Sequence, residues 1–464
     1  MRPRDLVSRR RLLQAGGIGL LGLTLPRVLQ AEAQPLTPGP SLARGEGRNR
    51  QKSCIFIVQY GGASHHDSWD LKPDAPDDIR GPYRPIATKV PGIQVGELFP
   101  KLASMADRYT IIRSMTHGNG GHDGGMHICM TGHSAPTVET PYYGSVVARL
   151  RPSTANLPSY VWLQNLAGDV QPRYLTGGFL GAAYSPLRVG TDMDNPAEPG
   201  FRFRAFDTAA DVSHERMRQR LQLLQEAQGR ATRVPGMHGI GANMQRFQER
   251  AVDLVTGPEA RRAFDLSLES SNLRGRYGPH ALGQNLLMAR RLIEAGVRLV
   301  SVTAWAGLPR GERFRNVQTW DMHGEGAGLG SIFGHGAFGL GWALPNVDQA
   351  VSALLEDLEL RGMLDDTLVV MVGEFGRSPR ISRAGRDHWP ACYSAMLAGA
   401  GIRGGYVHGS SDRQGGYVRD AAVRPEAFGA TLFHALGIPP ETRLSPDGFT
   451  RPASAGQPVL SLFA

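Results

Sequence analysis

The chain has 464 residues, with 59 Gly, 32 Pro, and 51 Lys+Arg against 42 Asp+Glu, for a formal net charge of +9. That length exceeds the usual single core but suits one large α/β unit with insertions. Outside the N-terminus no block of Lys or Arg occurs, which argues against a nucleic-acid groove. Three distant cysteines, Cys54, Cys129 and Cys392, with no CxxC pairing, indicate neither a zinc ribbon nor a disulfide framework.

At the N-terminus, Ser8-Arg9-Arg10-Arg11-Leu12-Leu13 precedes an apolar run from Ala15 to Leu25. That run is too short for a spanning helix, which needs ~20 residues. Ala31-Glu32-Ala33 then supplies small residues at the positions a signal peptidase reads. Residues 1–33 therefore read as a removable signal peptide. The paired arginines and the glycine-rich, weakly apolar run favour the twin-arginine (Tat) route over an ordinary secretory signal carrying an extra arginine. Six Arg (2, 4, 9, 10, 11 and 27) against Asp5 and Glu32 give this segment +4, so the remainder carries 9 − 4 = +5. The expectation is a protein handled by the Tat translocase, periplasmic or extracellular, with no permanent membrane anchor and no nucleic-acid partner.

Residues 34–52, rich in Pro, Gly and Arg, read as a flexible linker. The folded part, residues 53–464, opens with Cys54-Ile55-Phe56-Ile57-Val58-Gln59-Tyr60, a continuous apolar run stopped by Gly61-Gly62, as suits a strand buried on both faces. Tyr109–Arg113, Val297–Ala304 and Thr367–Val372 read the same way, and Ser394–Ala398 is a weaker candidate. Leu282–Ala295 and Asn346–Arg361 have helical apolar spacing and end at Gly296 and Gly362, which suit C-terminal caps. Each is followed closely by a buried strand. The alternation predicts an α/β fold whose mostly parallel central sheet is sandwiched by helices. Ala205–Arg274 is polar, charge-laced and helical in pattern, and reads as a helical insertion at about 205–274.

In open α/β sheets, functional residues gather just past the C-terminal ends of strands. After the first strand come His65, His66, Asp67 and Asp70. After Tyr109–Arg113 comes a glycine-rich segment containing His117, His122 and His127, with a helix starting near His122, where a helix N-terminus attracts anions. After Val297–Ala304 come Asp321 and His323, two apart and so on one side of an extended segment, able to chelate one divalent ion. Eight glycines between Gly324 and Gly341 follow, suiting a lid or an irregular loop. After Thr367–Val372 come Glu374 and Arg377, a carboxylate and a cation suited to metal and anion. Gly385-Arg386-Asp387-His388-Trp389-Pro390 adds a last Asp-His pair. A lone histidine is more often a hydrogen-bonded core residue than a ligand, but His and carboxylates recur here after four strand candidates. Mixed His/Asp/Glu ligation suits Zn, Mn or Fe. Two such ions could generate hydroxide and clamp a phosphoryl or sulfuryl oxygen.

The twin-arginine start, Gly61–Pro76, Arg113–Gly118 (RSMTHG), LLMARRLIEAGVRLV, WDMHG, LVVMVGEFGRSP and GRDHWP together resemble the exported proteins grouped as domain of unknown function 1501, from about Cys54 to the C-terminus. That family is placed with the alkaline phosphatase and sulfatase superfamily, so the resemblance implies an alkaline phosphatase-like fold and a bimetal hydrolase site. Asp321 and His323 match the superfamily's Asp-containing metal motif. Glu374 keeps the carboxylate of a motif whose histidine is here Phe375, and His388 matches the closing histidine. Tyr60 stands where the superfamily has a metal-binding Asp. Counting nine residues back from Thr131 puts His122 at the nucleophile position.

The resemblance implies a metal held by Asp321, His323 and His388, with Glu374 in or near its shell, and His65 and Asp67 completing a second, altered site. His122 would be base, nucleophile or ligand, while Arg377 or Asp387 would orient the anion or a ligand imidazole. The expected function is hydrolysis of phosphate or sulfate esters, on a small molecule or a glycan, with one or two divalent ions. The alternative is a non-catalytic protein binding an anionic glycan or a partner. An isomerase or phosphomutase fits less well with export.

Overall fold

A computed structural model describes residues 51–155, 157–164, 177–190, 195–197, 201, seven residues between 215 and 226, 257–308, 320–324, 330–334, 339–444 and 450–464. The expected signal peptide, nearly all of the expected linker and most of the expected helical insertion lie outside these residues. Within the insertion, Pro258–Phe264 and Ser271–Tyr277 are helices. The chain divides into two compact units. All elements described below lie in the larger of the two.

The larger unit is built on one sheet of eight strands: β1 (Ser53–Val58), β2 (Tyr109–Met115), β3 (Tyr160–Leu163), β4 (Leu187–Val189), β5 (Leu299–Thr303), β6 (Thr367–Val372), β7 (Tyr393–Ala398) and β8 (Tyr406–His408). Their order is β8-β2-β7-β6-β1-β5-β3-β4. Every strand runs parallel to the others except β7, which is antiparallel to both β6 and β2. β1 sits at the centre, with Val58 level with Thr303 of β5 and Val372 of β6. Its six residues are all buried, which explains why the sequence shows a continuous apolar run and no alternation.

Helices cover the sheet: α1 (His122–Thr131), α2 (Tyr143–Leu150), α3 (Ala281–Glu294), α4 (Leu340–Leu360) and α5 (Pro425–Ala435). Cys54, Phe56 and Val58 share a core with Met126 and Met130 of α1, Tyr143 and Val147 of α2, and Phe433 of α5. With a side-chain period of two, Ile55 and Ile57 take the opposite face. The fold class expected from the alternation is the observed one. The weak strand candidate at Ser394–Ala398 is a strand too, and its reversed direction matters for the site.

Candidate metal centre

Past the C-terminal ends of β1, β2, β5 and β6 lie Tyr60 to Gly62, Gly120 to His122, Trp320 to His323, and Glu374 to Arg377. Because β7 is antiparallel, its N-terminal end reaches the same edge. It is preceded by a two-stranded hairpin in which Gly376–Arg377 pairs with His388–Trp389, placing His388 opposite Arg377. The contributing strands β2, β7, β6, β1 and β5 are consecutive in the sheet, so sites far apart in sequence converge. Gly61 permits the closest approach. Its φ is +113°, and a Cβ there would lie 2.3 Å from the Asp321 amide nitrogen.

His122, Asp321 and His388 each offer a ligand atom within 4.8 Å of one another. Asp321 is the hub: Nε2 of His122 lies 3.4 Å from its Oδ2. Nε2 of His323 and of His388 both lie 3.0 Å from its Oδ1, and these two nitrogens are 2.9 Å apart. The outer nitrogen of every imidazole is committed elsewhere. Nδ1 of His122 donates to Glu374 Oε1 at 2.9 Å, that of His323 to Asp387 Oδ1 at 3.1 Å, and that of His388 to the Gly120 carbonyl at 2.7 Å.

These outer partners accept only, so each fixes its proton on Nδ1 and leaves an Nε2 lone pair facing the carboxylate. Three lone pairs and a carboxylate then face one another, and they must share a proton or a cation. This donor set fits a divalent ion. Imidazole and carboxylate bonds of about 2.0–2.2 Å at tetrahedral angles put neighbouring donors roughly 3.3–3.5 Å apart, close to the observed 3.4 Å for His122 and Asp321. A histidine ligand whose second nitrogen donates to a carboxylate or carbonyl is the usual supporting arrangement.

The electrostatics point the same way. Burial opposes a charge on His122, but its hydrogen bonds to Asp321 and Glu374 outweigh burial and raise its pKa to about 9. Burial alone would raise the pKa of Asp321; the three imidazoles and Arg377 instead hold it far below the usual carboxylate range. The hydrogen bond to Asp321 raises that of His323. The cluster thus draws positive charge. The side chains of His122, His388 and His323 are 16, 20 and 25 % exposed against 5 % for Asp321, so the imidazole side opens to solvent. The Tyr60 ring lies 5.7 Å from that of His122, and Phe375 lies 5.3 Å from His122 and 4.4 Å from His388. Tyr60 and Phe375 are therefore aromatic walls of the cluster.

Glu374 stands one step out: its carboxylate accepts the Gly61 N–H at 2.9 and 3.2 Å and holds His122. Asp387 likewise supports His323. Arg377 is fully buried, with each of its three nitrogens engaged by protein. It is therefore not placed to meet a substrate anion, and the expectation of that role is replaced by contact with Asp321. The expected second site is not assembled either. Asp67 is ion-paired to Arg386, with Oδ2 2.9 Å from Nε and Oδ1 3.3 Å from Nη2, and also accepts from Ser64 at 2.5 Å. His65 Nε2 donates to the Gly415 carbonyl at 2.8 Å, and burial lowers its pKa. A carboxylate neutralised by a buried guanidinium is a fastening between loops. The Gly120 carbonyl and the Arg386–Asp67 pair were missed from sequence; the Arg in GRDHWP was the one available signal.

Among solved structures, the chain is similar to Ps i-CgsB (10 % identity, TM-score 0.38, covering 84 % of this chain and 72 % of that one). It is also similar to a protein in the alkaline phosphatase superfamily from Vibrio parahaemolyticus (10 %, TM-score 0.36, 92 % and 75 %). A third likeness is to the phosphonate monoester hydrolase SpPMH from Silicibacter pomeroyi (11 %, TM-score 0.35, 89 % and 76 %). These likenesses are too distant to transfer an activity. No curated protein matches the chain. The family model described as Protein of unknown function (DUF1501) matches residues 51–461, and the chain belongs to that family.

Proposed function

We propose that this protein is a metal-dependent hydrolase of phosphate or sulfate esters, exported by the twin-arginine route and acting outside the cytoplasmic membrane. The observation that carries the reading is the convergence of the His122, His323 and His388 Nε2 atoms on the Asp321 carboxylate, each imidazole anchored through Nδ1. One divalent ion, Zn, Mn or Fe, would be held by His122, Asp321 and His388, with His323 beside it. When bound, the ion supplies positive charge to an ester oxygen and makes nearby water more acidic. Glu374 and Asp387 orient His122 and His323. The Tyr60 and Phe375 rings limit water on the inner side, and the solvent-open imidazole side admits the ester. His122 is here a ligand; the nucleophile role that its sequence position suggests is one that its two carboxylate partners leave no room to use.

The test is metal content by mass spectrometry on protein purified without chelator, then turnover of aryl phosphate and aryl sulfate esters with Zn, Mn or Fe added. The expected result is about one metal per chain and turnover lost in His388→Ala. Native protein free of metal and inert in every combination would sink the reading. A non-catalytic protein binding an anionic glycan is the second reading, favoured by the burial of Arg377, the guanidinium that contacts Asp321, which is turned into the protein and away from an arriving anion. Metal binding without turnover of any ester would favour it.

A further inference from the structure

We infer that Arg377 is a positioning residue that fixes the Asp321 carboxylate and so sets the metal affinity of the cluster, without touching substrate. This rests on the metal-centre reading. The side chain is fully buried, and its acceptors come from three segments that follow different strands or precede β7. Nε donates to the Gly62 carbonyl at 2.8 Å and Nη1 to the Arg386 carbonyl at 2.9 Å. Nη2 donates to the carbonyls of Gly61 and Trp320 and, at 2.7 Å, to Asp321 Oδ1. One planar fork therefore ties the loop after β1, the segment carrying Asp321 and the hairpin carrying His388. The oxygen it holds is the one on which His323 and His388 converge. A lysine keeps the charge but has a single nitrogen, which cannot span these directions.

The geometry separates two roles of opposite sign. A cation 2.7 Å from a metal-binding carboxylate opposes a dication, so if charge alone mattered, neutralising it would tighten metal binding. If position matters, the charge-preserving lysine weakens binding. Outer partners of metal ligands typically contribute 10–100-fold in affinity.

The experiment titrates Zn into the metal-free full chain against a chromophoric chelator, for native protein, Arg377→Lys, Arg377→Met and, as a buried-arginine control, Arg290→Lys. Both Arg377 variants are expected to bind roughly 10–100-fold more weakly, with Arg290→Lys unchanged. Arg377→Lys binding as native, or Arg377→Met binding more tightly, overturns the inference. Native protein that binds no Zn overturns the metal-centre reading itself, and the inference with it. Should the Arg377 variants not fold, arginine Nε–H NMR on native protein decides. A slowly exchanging arginine signal that shifts on adding Zn, distinct from the one lost in Arg290→Lys, is expected. No metal-responsive slow arginine signal overturns the inference.

Discussion

Two clusters of buried charge differ in a way that separates fastening from function. Between α3 and α4, Arg290 meets Glu269 at 2.7 Å, Glu294 at 2.6 Å and Asp357 at 2.9 Å, and Arg361 meets Asp357 at 2.8 Å. There donors face acceptors, and the charges are answered within the protein. At the strand ends, three imidazole lone pairs and a carboxylate face each other, with every outer N–H already committed. Burial alone does not distinguish the two; the pairing of acceptor with acceptor does. The first arrangement is complete as it stands, whereas the second must share a proton or a cation.

The largest way to break this comparison is Asp321→Ala. It should abolish tight metal binding and also cost roughly 3–5 kcal/mol of stability, because it leaves the Arg377 guanidinium buried and unanswered. Equilibrium denaturation with and without Zn reads both, and a variant still stabilised by Zn would contradict the hub role. Arg290→Met comes next, at about 3 kcal/mol, the low end of that range because Arg291 and Arg361 remain beside Glu269 and Asp357. Its Zn affinity should be unchanged, and a fall in affinity would join two clusters held here to be separate.

A third prediction concerns pH. His122 has its folded pKa raised from 6.5 to about 9. The protonated form therefore stabilises the metal-free fold fully below pH 6.5, and that contribution fades as pH rises through 9. Its size is at most roughly 3 kcal/mol, at 1.36 kcal/mol per pKa unit. The metal competes with the same proton, so Zn affinity should rise over this window while metal-free stability falls. Denaturation across pH 6–9 checks the opposite slopes, and His122→Gln should flatten the metal-free one. The smallest effect is expected of Asp387→Asn. That carboxylate is 75 % exposed, so stability should move by about 0.5 kcal/mol or less. Zn affinity should fall by roughly tenfold at most, through a looser His323.

Much of the fold was legible because burial on both faces writes itself as unbroken apolar runs. Cys54–Tyr60 and Thr367–Val372 stood out for that reason. Tyr160–Leu163, Leu187–Val189 and Tyr406–His408 did not, since strands of four, three and three residues are too short to show a period. The direction of β7 was also hidden, because local pattern does not encode which way a strand is laid. At the site, Glu374 and His388 were legible as polar residues placed just after or before a buried strand, and Asp321 and His323 as an Asp-His pair in the segment that follows β5. Their division into inner donors and outer supports was not. That division depends on contacts such as His122 with Glu374 and Asp67 with Arg386, which are 252 and 319 residues apart. No local spacing sets such pairs, and Asp67, read as a ligand, proved to be a partner of Arg386.

The central sheet gathers its cluster from β1, β2, β5, β6 and the approach to β7, a stretch running from Ser53 to Ala398. Contacts of such separation form late and slowly on a folding chain. No shorter fragment carries the whole donor set in register, so a growing or partly folded chain can offer a passing ion only scattered weak ligands. If the proposed metal centre forms, high-affinity capture would report that the sheet is complete, and the ion would serve as a gauge of finished folding.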